Sequence, residues 1–177
     1  MLTEPMLETA ADLAALQELL DRSYESAGPH LRRIITPARR VSATELAERL
    51  TGMRLLVLAT VTADGRPLAG PVDGIFYRGA FHFGSAHDAV RIRHIRARPY
   101  VSATHLPGEE LAVTVHGRAE LVDLQSEHGA GLRKVLLDVY VPRYGAEWEK
   151  FLDGPPAPVY ARIEADRMFT FQLVPRD

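Results

Sequence analysis

Cysteine is missing altogether from this chain of 177 residues, which removes both disulfide bridges and thiolate chemistry. A protein without covalent staples must rely on its own apolar core, and a chain of this length can bury one as a single domain. Lysine is nearly absent as well, with Lys134 and Lys150 standing against many arginines. That bias is the mark of a GC-rich genome and carries no mechanism. Net charge is small, at −2, so there is no electrostatic footprint for nucleic acid. No apolar run approaches the roughly 18 to 20 residues that span a bilayer. The opening MLTEPMLETAADL carries acids where a secretion signal would carry bases. These absences predict a cytoplasmic protein with neither membrane nor nucleic acid as its partner.

What is present is an ordinary globular composition, 46% apolar and 25% charged. Residues 7–26 place Leu13, Leu16, Leu20 and Tyr24 on one stripe and predict a helix, stopped by Ala27-Gly28-Pro29. Residues 29–41 have no clear period and read as an ordered connection. Ser42-Ala43-Thr44-Glu45 has the form of a capping box, stapled by Val41 and Leu46, and Gly52 closes the short helix 43–51 that it starts. Pro107-Gly108-Glu109-Glu110 is a polar hairpin turn. The strand 111–122 then sets Leu111, Val113, Val115, Gly117, Ala119 and Leu121 on one face, and Gly117 predicts a bulge or a close backbone approach. Residues 126–141 read as a helix with Leu132, Val135, Leu136 and Val139 inward and Pro142 at its end. The proline-rich connector 154–158 leads to one or two final strands over 159–174.

The densest signal lies between Leu55 and Thr104. It reads as strand, Asp-Gly turn, strand, Arg-Gly turn, strand, short basic helix, and a further strand begun by Arg-Pro. Strands dominate the middle of the chain and no βαβ unit repeats. The pattern therefore predicts a mainly β fold with added helices, an antiparallel barrel instead of a doubly wound sheet. Within the block, Gly84-Ser85 ends a strand and Arg91 follows inside the next helix. A small hydroxyl, free N–H groups at a helix start and a guanidinium one turn further in compose a phosphate seat.

In order and spacing, Leu58-Ala59-Thr60-Val61, Asp64-Gly65-Arg66-Pro67, Pro71-Val72, Phe83-Gly84-Ser85, Arg91 and Val113 to Glu120 resemble the FMN-binding split-barrel superfamily, the pyridoxamine 5′-phosphate oxidase-like proteins. The resemblance covers Met53 to Asp123, with a weaker echo in Tyr160 to Phe171. It implies a six-stranded antiparallel Greek-key split barrel over residues 53–177, with residues 1–52 as an N-terminal helical extension. It implies a homodimer with its cofactor sites at the subunit interface. It also implies FMN as the cofactor of an oxidoreductase acting on a small organic substrate. The deazaflavin F420 is the alternative hydride carrier on the same fold. A non-catalytic flavin- or haem-binding protein is the alternative of another class, haem ranking well below flavin.

The same resemblance assigns roles to residues. Arg91, with Val90 beside it, falls where the family pairs a basic side chain with the cofactor's terminal phosphate. Arginine suits the task because its planar fork holds two phosphate oxygens at once. Gly84 and Ser85 fall at a backbone-and-hydroxyl contact to that phosphate. Pro71, Val72, Asp73 and Gly74 correspond to the strand whose backbone runs beside the flavin ring. Tyr144 and Trp148 correspond to late aromatics that cover it. Pyridoxamine oxidases proper carry an arginine where this chain has Pro71, a glutamine where it has Ala112, and a C-terminal Arg-x-His pair with no counterpart in ARIEADRMFTF, which argues against the vitamin B6 reaction. No general acid or base stands out. His87 and His94, seven apart on one predicted helix, share a face; His82, His105 and His116 fall on different strands, and no metal is expected. The stripes Leu13/Leu16/Leu20 and Leu46/Leu50 offer apolar surface for a dimer contact.

Overall fold

A computed structural model describes residues 6–174; the first five residues of the acidic start and the last three of the 53–177 unit lie outside it. Six strands close into an antiparallel barrel: β1 (Met53–Val61), β2 (Pro67–Tyr77), β3 (Ala80–Ser85), β4 (Tyr100–Gly108), β5 (Leu111–Val122) and β6 (Val159–Gln172). They run around the wall in the order β1-β2-β3-β6-β5-β4. The predicted barrel and its mainly β class are observed, and the final segment is one long strand. The β2–β3 hairpin turns on Arg78-Gly79, both at positive φ, the geometry that matches the twist of its flanking strands.

Gly117 shows why the barrel can bend. The register between β5 and β6 shifts at His116/Gly117, and a Cβ on Gly117 would lie 2.0 Å from the carbonyl oxygen of Glu164. Both the bulge and the close backbone approach are thus present. Leu111, Val113, Val115 and Ala119 face the core as expected, whereas Leu121 is exposed. Beyond Ala119 the strand has left the barrel interior, so the alternation no longer buries that side chain.

The N-terminal segment forms α1 (Ala10–Glu25), α2 (Pro29–Ile34), a 3₁₀ turn at Pro37–Arg39 and α3 (Ala43–Arg49). Thr9 and Asp12 cap α1 reciprocally, and the Ser42 hydroxyl accepts from the Glu45 amide to start α3. Glu45 itself turns away and pairs with Arg49, leaving that capping box half made. α1 has a specific task at the sheet. β3 pairs with β6 only as far as Arg162, so the next stretch of β6 is an edge on that side. Ser23 and Tyr24 cover it: the Met168 amide donates to the Ser23 hydroxyl and the Thr170 amide to the Tyr24 hydroxyl, each at 3.0 Å. Leu16, Leu20, Leu46 and Leu50 join the barrel core and are buried within the chain. These four leucines are therefore used within the chain, with Leu13 half-buried beside them.

The second apolar cluster lies outside the barrel. α5 (Glu127–Tyr144) and α6 (Glu147–Asp153) pack Leu132, Leu136, Tyr140 and Leu152 against Ile75 and Tyr160 on the outer wall. Pro142 sits inside α5 and does not end it. The helix stops at Gly145, whose positive φ and amide bond to the Val141 carbonyl form the cap. Proline is tolerated here because it falls in the last turn. α6 follows directly and has no counterpart in the sequence pattern.

Candidate functional site

The basic helix, α4 (Val90–Ala97), positions the first candidate side chain. Ile92 and Ile95 are buried against the barrel end, while Arg93 and Arg96 point to solvent. Thr60 and His94 Nδ1 meet at 2.9 Å, and Arg98 Nε donates to the Val61 carbonyl at 3.0 Å. Both contacts tie the helix to β1. His87 lies in the turn before α4, not on it, so the two histidines share no helical face; Asp88 and Ala89 still belong to the turn and delay the helix start.

So held, Arg91 reaches across β2. Its Nη1 donates to the Pro71 carbonyl at 3.2 Å, and its Nη2 lies 3.3 Å from where a Cβ on Gly70 would stand. Among the described residues it forms no ion pair. Most of its five donors remain available to an anion.

Arg91 opens onto a cleft of about 880 Å³ on the outer wall of the barrel. That volume is within the range of small-molecule and cofactor sites. Pro71, Val72, Asp73, Gly84, Ser85 and Arg91, six of the residues singled out by sequence, line it together. Val90 lines a smaller neighbouring cavity of about 250 Å³ that shares Arg91 as its wall. Gly74 faces Leu56, where a Cβ would meet that side chain at 2.6 Å, and so belongs to the packing behind the cleft.

The opposite wall is aromatic. Tyr140 stacks on Trp148 with ring centres 4.5 Å apart and on Tyr144 at 6.0 Å, and Phe151 lies 6.1 Å from Trp148. Tyr144 and Trp148 thus reach the cleft as the sequence suggested. Tyr140, Phe151 and Tyr160 were not singled out there. Tyr140 sits one position past Val139 on the α5 stripe and could have been found by extending that stripe. Tyr160 needed the strand pairing. Burial pushes the phenols of Tyr140 and Tyr160 well above their ordinary pKa, and the negative charge of Asp73 pushes them further. Both rings therefore stay neutral donors. Among the described residues Asp73 is the only carboxylate on the cleft lining.

Such a cleft has the chemistry to hold a ligand with a flat, apolar body and an anionic head: the aromatic wall can face the body, and the Arg91 fork, the Ser85 hydroxyl and the uncapped start of α4 can take the head. Among the described residues the lining includes no histidine.

The family model for pyridoxamine 5′-phosphate oxidase matches residues 42–171. Among solved structures, a conserved hypothetical protein from Mycobacterium tuberculosis superposes with a TM-score of 0.64 at 21% identity, covering 80% of this chain and 94% of its own. A FAD-binding protein from Mesorhizobium loti gives 0.56 at 24% identity, over 75% of this chain and 93% of its own. The heme storage protein HutZ from Vibrio cholerae gives 0.56 at 21%, over 67% and 85%. At these identities the likeness is one of fold. Among curated proteins none matches the sequence.

Proposed function

The chain belongs to the pyridoxamine 5′-phosphate oxidase family, and from that premise we propose that its outer cleft binds FMN and that the protein is a flavin-dependent oxidoreductase acting on a small organic substrate. The observation that carries this reading is the pairing of an arginine fork, only one of whose donors is engaged by the Pro71 carbonyl, with an aromatic wall in one cleft of cofactor size. Arg91 and Ser85 would hold the phosphate. Backbone groups of Pro71 to Asp73 would run beside the ring, and Tyr140, Tyr144 and Trp148 would face it across the cleft and limit water. FMN, when bound, supplies the hydride or electron chemistry, so the protein's own share is binding and orientation. F420 carries a phosphate as well and is the alternative ligand for the same seat.

Solved structures of similar fold described as FAD-binding or heme-storing support a second reading, a carrier or sensor that binds flavin without turning over. Reduction of the bound flavin by NAD(P)H or by reduced F420 separates the two. We place the protein in the cytoplasm, a reading supported by its lack of cysteine; among the described residues no helix is long and apolar enough to cross a membrane.

We also propose a homodimer that closes the cleft. Its support is an exposed apolar patch on the barrel wall, Leu55 and Val57 on β1 with Tyr100 and Leu106 on β4. Leu55 is part of both the patch and the cleft lining.

Trp148 is the sole tryptophan, so its emission reports directly on the cleft. Titration with FMN should quench it and give a yellow protein. Undiminished emission at millimolar FMN and F420 would overturn the cofactor reading.

A further inference from the structure

We propose that Asp73 and the aromatic wall form a cation-accepting half of the cleft, so that the small-molecule substrate carries a positively charged nitrogen. The inference rests on the reading of this cleft as a substrate site and names the class of molecule that enters it.

The cleft is electrically divided along β2. Arg91 is bonded to the Pro71 carbonyl, and Asp73 projects from the same face two residues on, roughly 7 Å away at the strand rise. Asp73 is exposed, and among the described residues its carboxylate has no hydrogen-bond or ion-pair partner. It sits beside Tyr140 and Tyr160, whose phenols respond to its charge. Those phenols are neutral, and among the described residues no ion pair balances the carboxylate.

The rings next to it are suited to a cation. Tyr140, Trp148, Tyr144 and Phe151 form one continuous wall of π-faces, and such faces attract ammonium groups most strongly where water is displaced. Arg143 already rests over Tyr144 at 5.8 Å, outside the cleft lining, so the wall accepts a cation in the folded protein itself. A neutral aromatic ligand would gain stacking but would strip water from Asp73 without replacing it. A protonated amine or an N-alkylated ring gains both the stacking and the charge pair. Aromatic rings together with a single carboxylate are thus selective for organic cations.

The test uses benzyltrimethylammonium and its uncharged carbon isostere, neopentylbenzene, titrated into the full chain with and without FMN. Trp148 emission and calorimetry are the readouts. The native protein should bind the cation about ten-fold more tightly than the isostere. Asp73→Asn should abolish that preference, and Asp73→Glu should keep most of it. Equal affinity for the two probes in the native protein overturns the inference, as does a preference that survives in Asp73→Asn. FMN that fails to bind while the cation preference persists sinks the flavin reading and leaves this one standing. FMN binding without a cation preference does the reverse.

Discussion

Gly84 and Tyr160 face each other across the β3–β6 pairing, and the tyrosine ring occupies the space that a side chain at position 84 would need. A Cβ there would stand 2.9 Å from the ring edge. The glycine therefore serves the cleft through what it omits: the ring can lean over β3 and line the site beside Asp73 and Ser85.

Gly84→Ala should push the ring out of place. Forcing one methyl into this contact is expected to cost about 1 to 3 kcal/mol, read as a lower urea midpoint with an unchanged slope. The Gly84→Ala/Tyr160→Ala double variant should recover part of that loss relative to the sum of the single variants. Strict additivity would show that the two side chains do not compete for the same space.

Arg91→Ala should weaken FMN binding by roughly ten- to hundred-fold, the loss of one charge-assisted contact to phosphate. Riboflavin, which lacks the phosphate, should bind the native protein far worse than FMN, and the substitution should narrow that gap. Arg96 is the appropriate control because it lies exposed on the outer side of α4; Arg98 is not, since it anchors the helix to Val61. Equal binding of FMN and riboflavin by the native protein, or an equal loss in Arg96→Ala, would show the phosphate seat to be elsewhere.

Val57 is 54% exposed in the single chain and lies in the apolar patch without lining the cleft. Val57→Glu should convert a dimer to a monomer in sedimentation at micromolar concentration while leaving the circular dichroism spectrum intact. A native protein that sediments as a monomer, with or without FMN, would refute the homodimer.

Tyr140 and Tyr160 also make a prediction about alkali. Both ionise near 10.0 in the unfolded chain and well above that in the folded one. Below the unfolded value both states are neutral and nothing is lost. Above it the unfolded state releases protons that the folded state retains, so stability falls as pH rises. The urea midpoint should drop between pH 9 and 11, and Tyr160→Phe should drop less steeply. A midpoint independent of pH over that interval would contradict the burial of the phenols.

The sequence by itself determined the strands, their turns and the cluster of residues around Arg91, because these rest on local chemistry. Alternation along β5, the Asp-Gly and Arg-Gly turns, the Ser42 cap and the glycine bulge at 117 each act within a few residues. The residues near Arg91 were legible because strand end, turn and helix start are adjacent in the chain. Only the tertiary structure decided what stands opposite them. The aromatic wall comes from α5, α6 and the first residue pairs of β6, more than fifty positions from Ser85, and it meets β2 through barrel closure that no local pattern encodes. The same closure buried the leucine stripe of α1 against β6, with α3 packed on α1, and left the β1–β4 face uncovered. A helix stripe shows that a face must be buried; which surface buries it depends on where the barrel leaves an open edge.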